Sequence, residues 1–166
     1  GDIRIVDEED RDALSGAEGE IVVKGPNTMT GYWSSAGQDH KGLDAGGWMH
    51  TGDIGRMDAE GYLTIVDRLD DMIITGGFNV YPREVEEALA SHPAVLESAV
   101  VGRSDSDWGQ RVHACVVLEA GRRVEPEVLI AHAGSRLAGY KKPRSLEIVA
   151  ALPRNPAGKV LRRALR

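Results

Sequence analysis

Few residues in this sequence could do chemistry. Lys159 stands in NPAGKVLR (155–162), after a turn set by Pro156 and Gly158; Val160, Leu161, Ala164 and Leu165 follow with the apolar spacing of a short helix. A lysine there is a compact cation on a flexible stem, able to meet an anion or only to solvate a surface. Asp53, in HTGD, presents two carboxylate oxygens for two donors, or caps an ordinary Thr51-Gly52-Asp53 turn. Arg68 has Asp67 and Asp71 nearby for a surface ion pair, and Gly76-Gly77 has the form of a β-turn. His40, His92, His113 and His132 show no metal-ligand spacing, so they receive no function and no metal site is assigned. Cys115 is the one cysteine, which excludes an internal disulfide and a thiolate metal cluster; within VHACVVLE it reads as a small buried side chain.

The chain that must position these residues is 166 long and 42% apolar, enough for one sizeable domain or two small ones. Its net charge of −6 is uneven: residues 1–110 hold 8 Lys/Arg against 22 Asp/Glu, and residues 111–166 hold 12 against 4. The basic charges are scattered through a folded pattern without interleaved aromatic platforms. That argues against nucleic acid and for a smaller polyanion, such as a nucleotide or a phosphorylated cofactor. No run approaches the roughly 20 apolar residues of a transmembrane segment. GDIRIVDEEDRD lacks the basic start and apolar stretch of a secretory signal. With a single cysteine, this pattern predicts a cytoplasmic protein.

The first third reads as short strands and loops: IRIV (3–6), EIVVKG (20–25) and GYLTIVDR (61–68) are strands, and Gly31 to Gly47 is a long surface loop. DDMIITGG (70–77) follows a polar step at Arg68–Asp71, and a boundary there separates residues 1–69 from 70–166. Beyond it, helices alternate with strands. Pro82 opens one helix, with Glu84 and Glu86 in its first turn and Val85, Ala88 and Leu89 as its stripe. Pro126 opens another, with Leu129, Ala133 and Leu137 on one face. VLESAVVG (95–102), RVHACVVLE (111–119) and SLEIVA (145–150) are strands, and a terminal helix follows Gly158. The order predicts an α+β fold: a small β-rich N-terminal segment, then a compact few-stranded sheet with flanking helices.

Three separated stretches now line up: GEIVVKGPNTMTGYW (19–33), GGWMHTGDIGRMDAEGYLTIVDRLDDMIITGGFNVYPREVEEAL (46–89) and YKKPRSLEIVAALPRNPAGK (140–159). Together they resemble the adenylate-forming superfamily, with acyl-CoA synthetases (fatty-acid and aryl-acid CoA ligases) the nearest likeness. The resemblance covers nearly the whole chain but only the C-terminal third of such an enzyme. GPNTMTGY is not the family's phosphate loop, because it lacks the clustered glycines and the closing lysine. That loop, most of the acyl pocket and the large N-terminal domain are expected outside this sequence. Gly1 opens in mid-pattern without a methionine, so a piece of a longer protein is the expectation. On this resemblance, residues 1–69 end the large domain's β-subdomain and 70–166 form the mobile C-terminal domain.

The resemblance implies a reaction in two halves. A carboxylate attacks the α-phosphate of ATP to give acyl-AMP and pyrophosphate, and the thiol of CoA then displaces AMP. Lys159 is implied as the catalytic cation of the first half. Asp53 is implied to accept from both ribose hydroxyls, Arg68 to contact the nucleotide, and Ile65 to pack near it. Asp70 falls at the hinge about which the C-terminal domain rotates. Gly76 and Gly77 are implied to line the channel for the pantetheine arm of CoA. Asn79, in GGFNVYP, leans toward CoA ligases rather than the amino-acid-activating modules of peptide synthetases. His50 helps shape the nucleotide site; Lys141, Lys142 and Arg144 either steer phosphates or form a solvated loop. ATP, CoA, a fatty or aryl carboxylic acid, and Mg2+ held by ligands outside this chain complete the implied set. The alternatives are a carrier-protein-loading or luciferase-like enzyme of the same superfamily, and a stand-alone module that binds nucleotide or a carrier protein without catalysis.

Overall fold

The computed structural model describes residues 1–34, 37–39 and 42–166, with side chains described outside 32–41. The chain divides into two compact units, Gly1–Asp70 and Asp71–Arg166.

The first unit contains β1 (Asp2–Val6), β2 (Glu18–Lys24), β3 (Tyr32–Ser34), β4 (Gly37–Asp39), β5 (Met49–Met57) and β6 (Leu63–Arg68). Four of these form an antiparallel sheet in the order β1-β2-β5-β6, while β3 and β4 pair with each other. Ile5 lies opposite Ile21, and with Val6, Val22 and Ile54 they are the buried apolar side chains of this unit among the described residues. The β3–β4 hairpin replaces part of the expected long loop; residues 42–47 are irregular, with Leu43 bridged to Met49, and residues 35, 36, 40 and 41, His40 among them, lie outside the described residues. HTGD is strand rather than turn. Thr51 Oγ1 donates to the Ile21 carbonyl (2.7 Å) and the Gly52 N–H to Glu20 (3.0 Å), so β2 claims the segment.

The second unit follows a 3-10 turn over Leu69–Asp71 and contains β7 (Ile73–Thr75), β8 (Phe78–Val80), α1 (Pro82–Ala90), β9 (Val95–Asp105), β10 (Gly109–Leu118), α2 (Pro126–Gly134) and β11 (Ser145–Ile148). β10 is its spine. It runs antiparallel to β9 along its length, parallel to β11 at His113–Val116, and meets β7 where Gly109 faces Thr75. Alternate residues of β10 serve two cores. Val112, Ala114 and Val116 pack with Val85 and Leu89 of α1 and Leu129 and Ala133 of α2. Cys115 and Val117 pack on the other side with Ala99, Val101, Leu152 and Leu165. Burial on both faces explains why this strand is apolar almost without alternation. Both helices begin with proline at the first turn, where its missing N–H costs nothing.

The expected terminal helix is not formed; only a 3-10 turn at Arg162–Ala164 is present. Val160 is bridged to Arg154, and the Leu161 N–H bonds the Pro153 carbonyl (2.8 Å). The backbone needed for a first helical turn is therefore committed elsewhere, and too few residues remain to offset the cost of a helix nucleus. The segment instead lays Leu152 and Leu165 against the open face of the sheet.

Candidate functional site

Lys159 sits on a tight turn between those two anchors. Gly158 takes φ 81°, a left-handed conformation that suits glycine. The Gly158 N–H bonds the Asn155 carbonyl and the Asn155 N–H bonds the Lys159 carbonyl, both at 2.9 Å. The Lys159 side chain is exposed, and its ammonium has no partner among the described residues. The arrangement holds a cation out into solvent on an ordered backbone.

In the first unit, strand register assembles a second group. Asp53 of β5 lies opposite Arg68 of β6, so the two side chains share a face. Arg68 Nε is 3.3 Å from Asp53 Oδ1, with the carboxylate 34% and the guanidinium 61% exposed. A bulge at Ile54/Gly55 absorbs one residue of β6 and brings Ile65 opposite Gly55, two along from Asp53. Ile65 is 54% exposed, an aliphatic surface left beside an ion pair. An anion, a cation and an apolar side chain thus share one patch, with the chemistry to meet hydroxyls, a phosphate and a ring. His50 is turned to the neighbouring strand: its Nδ1 is 2.8 Å from Glu20 Oε2, and that hydrogen bond raises its pKa above the ordinary value against the effect of burial. Glu20 also takes the Gly52 N–H, so His50 and Glu20 brace the strand that carries Asp53.

Asp70 is exposed, within the 3-10 turn, and is the last residue of the first unit. Gly76 and Gly77 form the β7–β8 turn with φ 57° and 82°, the left-handed pair that a two-residue type I′ hairpin requires. Their surroundings differ. A Cβ on Gly76 would lie 2.6 Å from the Trp108 ring, whereas one on Gly77 would meet nothing within 4 Å. The space over Gly76 is filled by Trp108, and the open one is over Gly77. The basic segment 141–144 is more engaged than the sequence suggested. Lys141 Nζ donates to both Glu84 oxygens (2.8 and 2.7 Å), and Arg144 lies 4.0 Å over the Trp108 ring.

Sequence reading missed one cluster. His113 and Cys115 alternate on β10, and the parallel register sets Glu147 of β11 beside Cys115. Glu147 Oε1 receives Arg103 Nη2 (2.8 Å) and the Cys115 thiol (3.1 Å), and lies 3.2 Å from His113 Nε2. Burial pushes the Cys115 thiol up to about 12 and the His113 imidazole below its usual value. The H-x-C spacing was visible as a shared strand face; the strand opposite was not.

Residues 84–159 match the family described as AMP-binding enzyme C-terminal domain. The chain is 49% identical over 150 residues to 2-succinylbenzoate–CoA ligase of Bacillus mycoides (strain KBAB4), covering 90% of this chain and 31% of the ligase. It is 50% identical over 147 residues to long-chain-fatty-acid–CoA ligase of Bacillus subtilis (strain 168), covering 89% of this chain and 26% of that protein. The ATP-bound structure of MatB from Rhodopseudomonas palustris matches with a TM-score of 0.91 at 38% identity, over 99% of this chain and 33% of MatB. Apo MatB matches over the same shares with a TM-score of 0.73. The chain therefore spans about a third or less of the length of the relatives it matches. By these matches residues 84–159 belong to the AMP-binding enzyme C-terminal domain family, and the chain as a whole is similar to part of the CoA ligases that carry it.

Proposed function

We propose that this chain is the C-terminal part of an ATP-dependent, AMP-forming acyl-CoA synthetase, with Lys159 as the cation of its adenylation half-reaction. The observation that carries this reading is an exposed ammonium without a partner among the described residues, held on an ordered Pro/Gly turn. When a carboxylate oxygen attacks the α-phosphorus of ATP and pyrophosphate leaves, two anionic groups are pressed together. An ammonium placed between their oxygens offsets that charge. The nucleotide is held by the first unit: Asp53 accepts from the ribose hydroxyls, Arg68 pairs with phosphate or ribose oxygen, and Ile65 covers an apolar edge. In the second half the thiol sulfur of CoA bonds to the acyl carbon and AMP departs. Gly77, whose outer face is open, leaves room for the pantetheine arm; Gly76 is glycine because Trp108 crosses it.

A change of pose between the halves is placed at Asp70. The division of the chain into units at this residue supports it, and the unequal TM-scores against ATP-bound and apo MatB (0.91 and 0.73) are consistent with it. Among the described residues no group fits a magnesium site. That ion prefers carboxylate and water oxygens, and the group of three potential ligands among the described residues contains an imidazole and a thiol and faces Arg103. Magnesium is bound, on this reading, by residues outside the chain.

The test is Lys159→Ala in the complete ligase. Acyl-AMP formation should fall by about 10²–10³-fold, the usual cost of losing one electrostatic group at a reacting centre. Conversion of supplied acyl-AMP to thioester should stay near the wild-type rate. Equal loss of both halves with the fold intact would refute the assignment.

A further inference from the structure

Lys159 is held from behind by three side chains that no part of the reaction uses directly. Arg154 Nη1 donates to the Gly158 carbonyl (2.9 Å), and its Nη2 is paired with the Glu97 carboxylate of β9. On the other side, Asn155 Oδ1 accepts the Lys159 N–H (2.9 Å). Gly158 C=O and Lys159 N–H are the two ends of one peptide plane, so Arg154 and Asn155 grip that plane from opposite directions. The next carbonyl, of Lys159 itself, takes the Asn155 N–H (2.9 Å). Polar groups on both sides of the Lys159 Cα are therefore fixed, and with them the direction in which the side chain leaves the backbone. Fixing that direction matters for a lysine because its four-carbon stem is otherwise free, and a small displacement of a reacting group costs rate steeply. Glu97 ties the grip to the sheet: it stands on β9, which pairs with β10 along its length. Arg154 and Glu97 are each partly exposed (42% and 33%), so the pair does little as a surface ion pair in its own right.

We propose that Arg154, braced by Glu97, and Asn155 are positioning residues for Lys159, fixing the peptide that precedes it so that the ammonium is presented in one direction. This rests on the adenylation role given to Lys159. The positioning is confined to the first half-reaction, and that separates it from a general structural role.

The experiment compares Arg154→Ala, Asn155→Ala, Asn155→Asp and Lys159→Ala in the complete ligase, assaying each half-reaction separately. Arg154→Ala should slow acyl-AMP formation by roughly 10–100-fold, since a misplacement of about 1 Å can cost that much. The KM for ATP and the rate of thioester formation from supplied acyl-AMP should stay near wild type. Asn155→Ala should do the same more weakly, and Asn155→Asp, which keeps the acceptor oxygen, should restore most of the rate. In the 166-residue chain, Asn155→Ala should also speed amide exchange at Lys159 about tenfold or more, leaving β10 amides protected. Normal adenylation by Arg154→Ala and Asn155→Ala beside a crippled Lys159→Ala would overturn the positioning and leave the Lys159 role standing. Equal losses in both half-reactions would reduce Arg154 and Asn155 to structural residues. A fully active Lys159→Ala would remove the Lys159 reading and this proposal with it.

Discussion

The two units meet the problem of burial in opposite ways. Among the described residues, Gly1–Asp70 buries five apolar side chains and Asp71–Arg166 buries twenty. The second unit uses both faces of its sheet, with helices on one and the C-terminal segment on the other. The first leaves Ile3, Leu14, Tyr62 and Ile65 largely exposed. Charge divides the same way: residues 1–70 hold 6 Lys/Arg against 15 Asp/Glu, and residues 71–166 hold 14 against 11. A sheet with so small a core depends for its order chiefly on its strand ladders. The proposed functional groups follow suit. In the first unit they are cross-strand neighbours fixed by register; in the second they sit on turns carried by a well-filled core.

The largest expected effect follows from removing one unit. Residues 71–166 alone should show a cooperative urea transition and slow amide exchange in β9 and β10. Residues 1–70 alone should lose most protection in β1 and β6. Protection in the isolated first unit equal to that in β10 would break the comparison.

Next in size is a pair of leucine truncations in the 166-residue chain. Leu129 is fully buried between α2 and the sheet, and Leu129→Ala should cost about 2–5 kcal/mol in urea unfolding. Leu14 is 84% exposed, and Leu14→Ala should change stability by about 0.5 kcal/mol or less. A large loss from the second would reveal a core in the first unit that burial does not show.

What the sequence revealed depended on how local the signal was. The helices at Pro82 and Pro126 were legible because a fixed-φ residue at the first turn and a 3.6-residue stripe are both written within ten residues. The buried Cys115 strand was legible for the same reason, as a continuous apolar run. The strand through Asp53 was not: Thr51, Gly52 and Asp53 carry turn chemistry, and only pairing with Ile21 and Glu20, about thirty residues away, overrides it. The terminal helix failed similarly, since Val160 and Leu161 are claimed by Arg154 and Pro153. At the candidate site, the proposed residues were named by resemblance. Their geometry needed register: the bulge that aligns Ile65 with Asp53, the Trp108 ring over Gly76, and the Arg154–Glu97 brace are all non-local.

A smaller effect tests the division of labour. Asp53→Ala in the complete ligase should weaken ATP binding about tenfold to a hundredfold, from a charge-assisted hydrogen-bond contribution of about 1.5–3 kcal/mol. Lys159→Ala should leave ATP affinity within a few-fold of wild type. Calorimetric titration with ATP distinguishes them. The reverse pattern would place nucleotide binding on the second unit and the charge-neutralising group on the first.

The smallest effect separates the units by sign. His50 donates its Nδ1–H to Glu20, with Asp10 and Asp44 adding negative charge, and its pKa lies above the ordinary 6.5. His113 is buried, with Arg103 and Arg111 nearby; these outweigh its contact with Glu147, and its pKa lies below 6.5. A raised imidazole pKa contributes stability that is complete below about 6.5 and is lost as pH rises through the folded value. A lowered one contributes stability present above about 6.5 and lost as pH falls through the folded value. Acidifying from about pH 8 to about pH 5 should therefore strengthen the His50 contribution to the first unit and weaken the His113 contribution to the second. Ring-proton NMR titration of the 166-residue chain reads this directly: the His50 midpoint should lie above 6.5 and the His113 midpoint below it. Replacing Glu20 by Gln removes the dominant partner and should bring the His50 midpoint down while leaving His113 unmoved. Two midpoints on the same side of 6.5, or a His50 midpoint indifferent to Glu20→Gln, would remove the electrostatic contrast between the units and leave only the contrast in their cores.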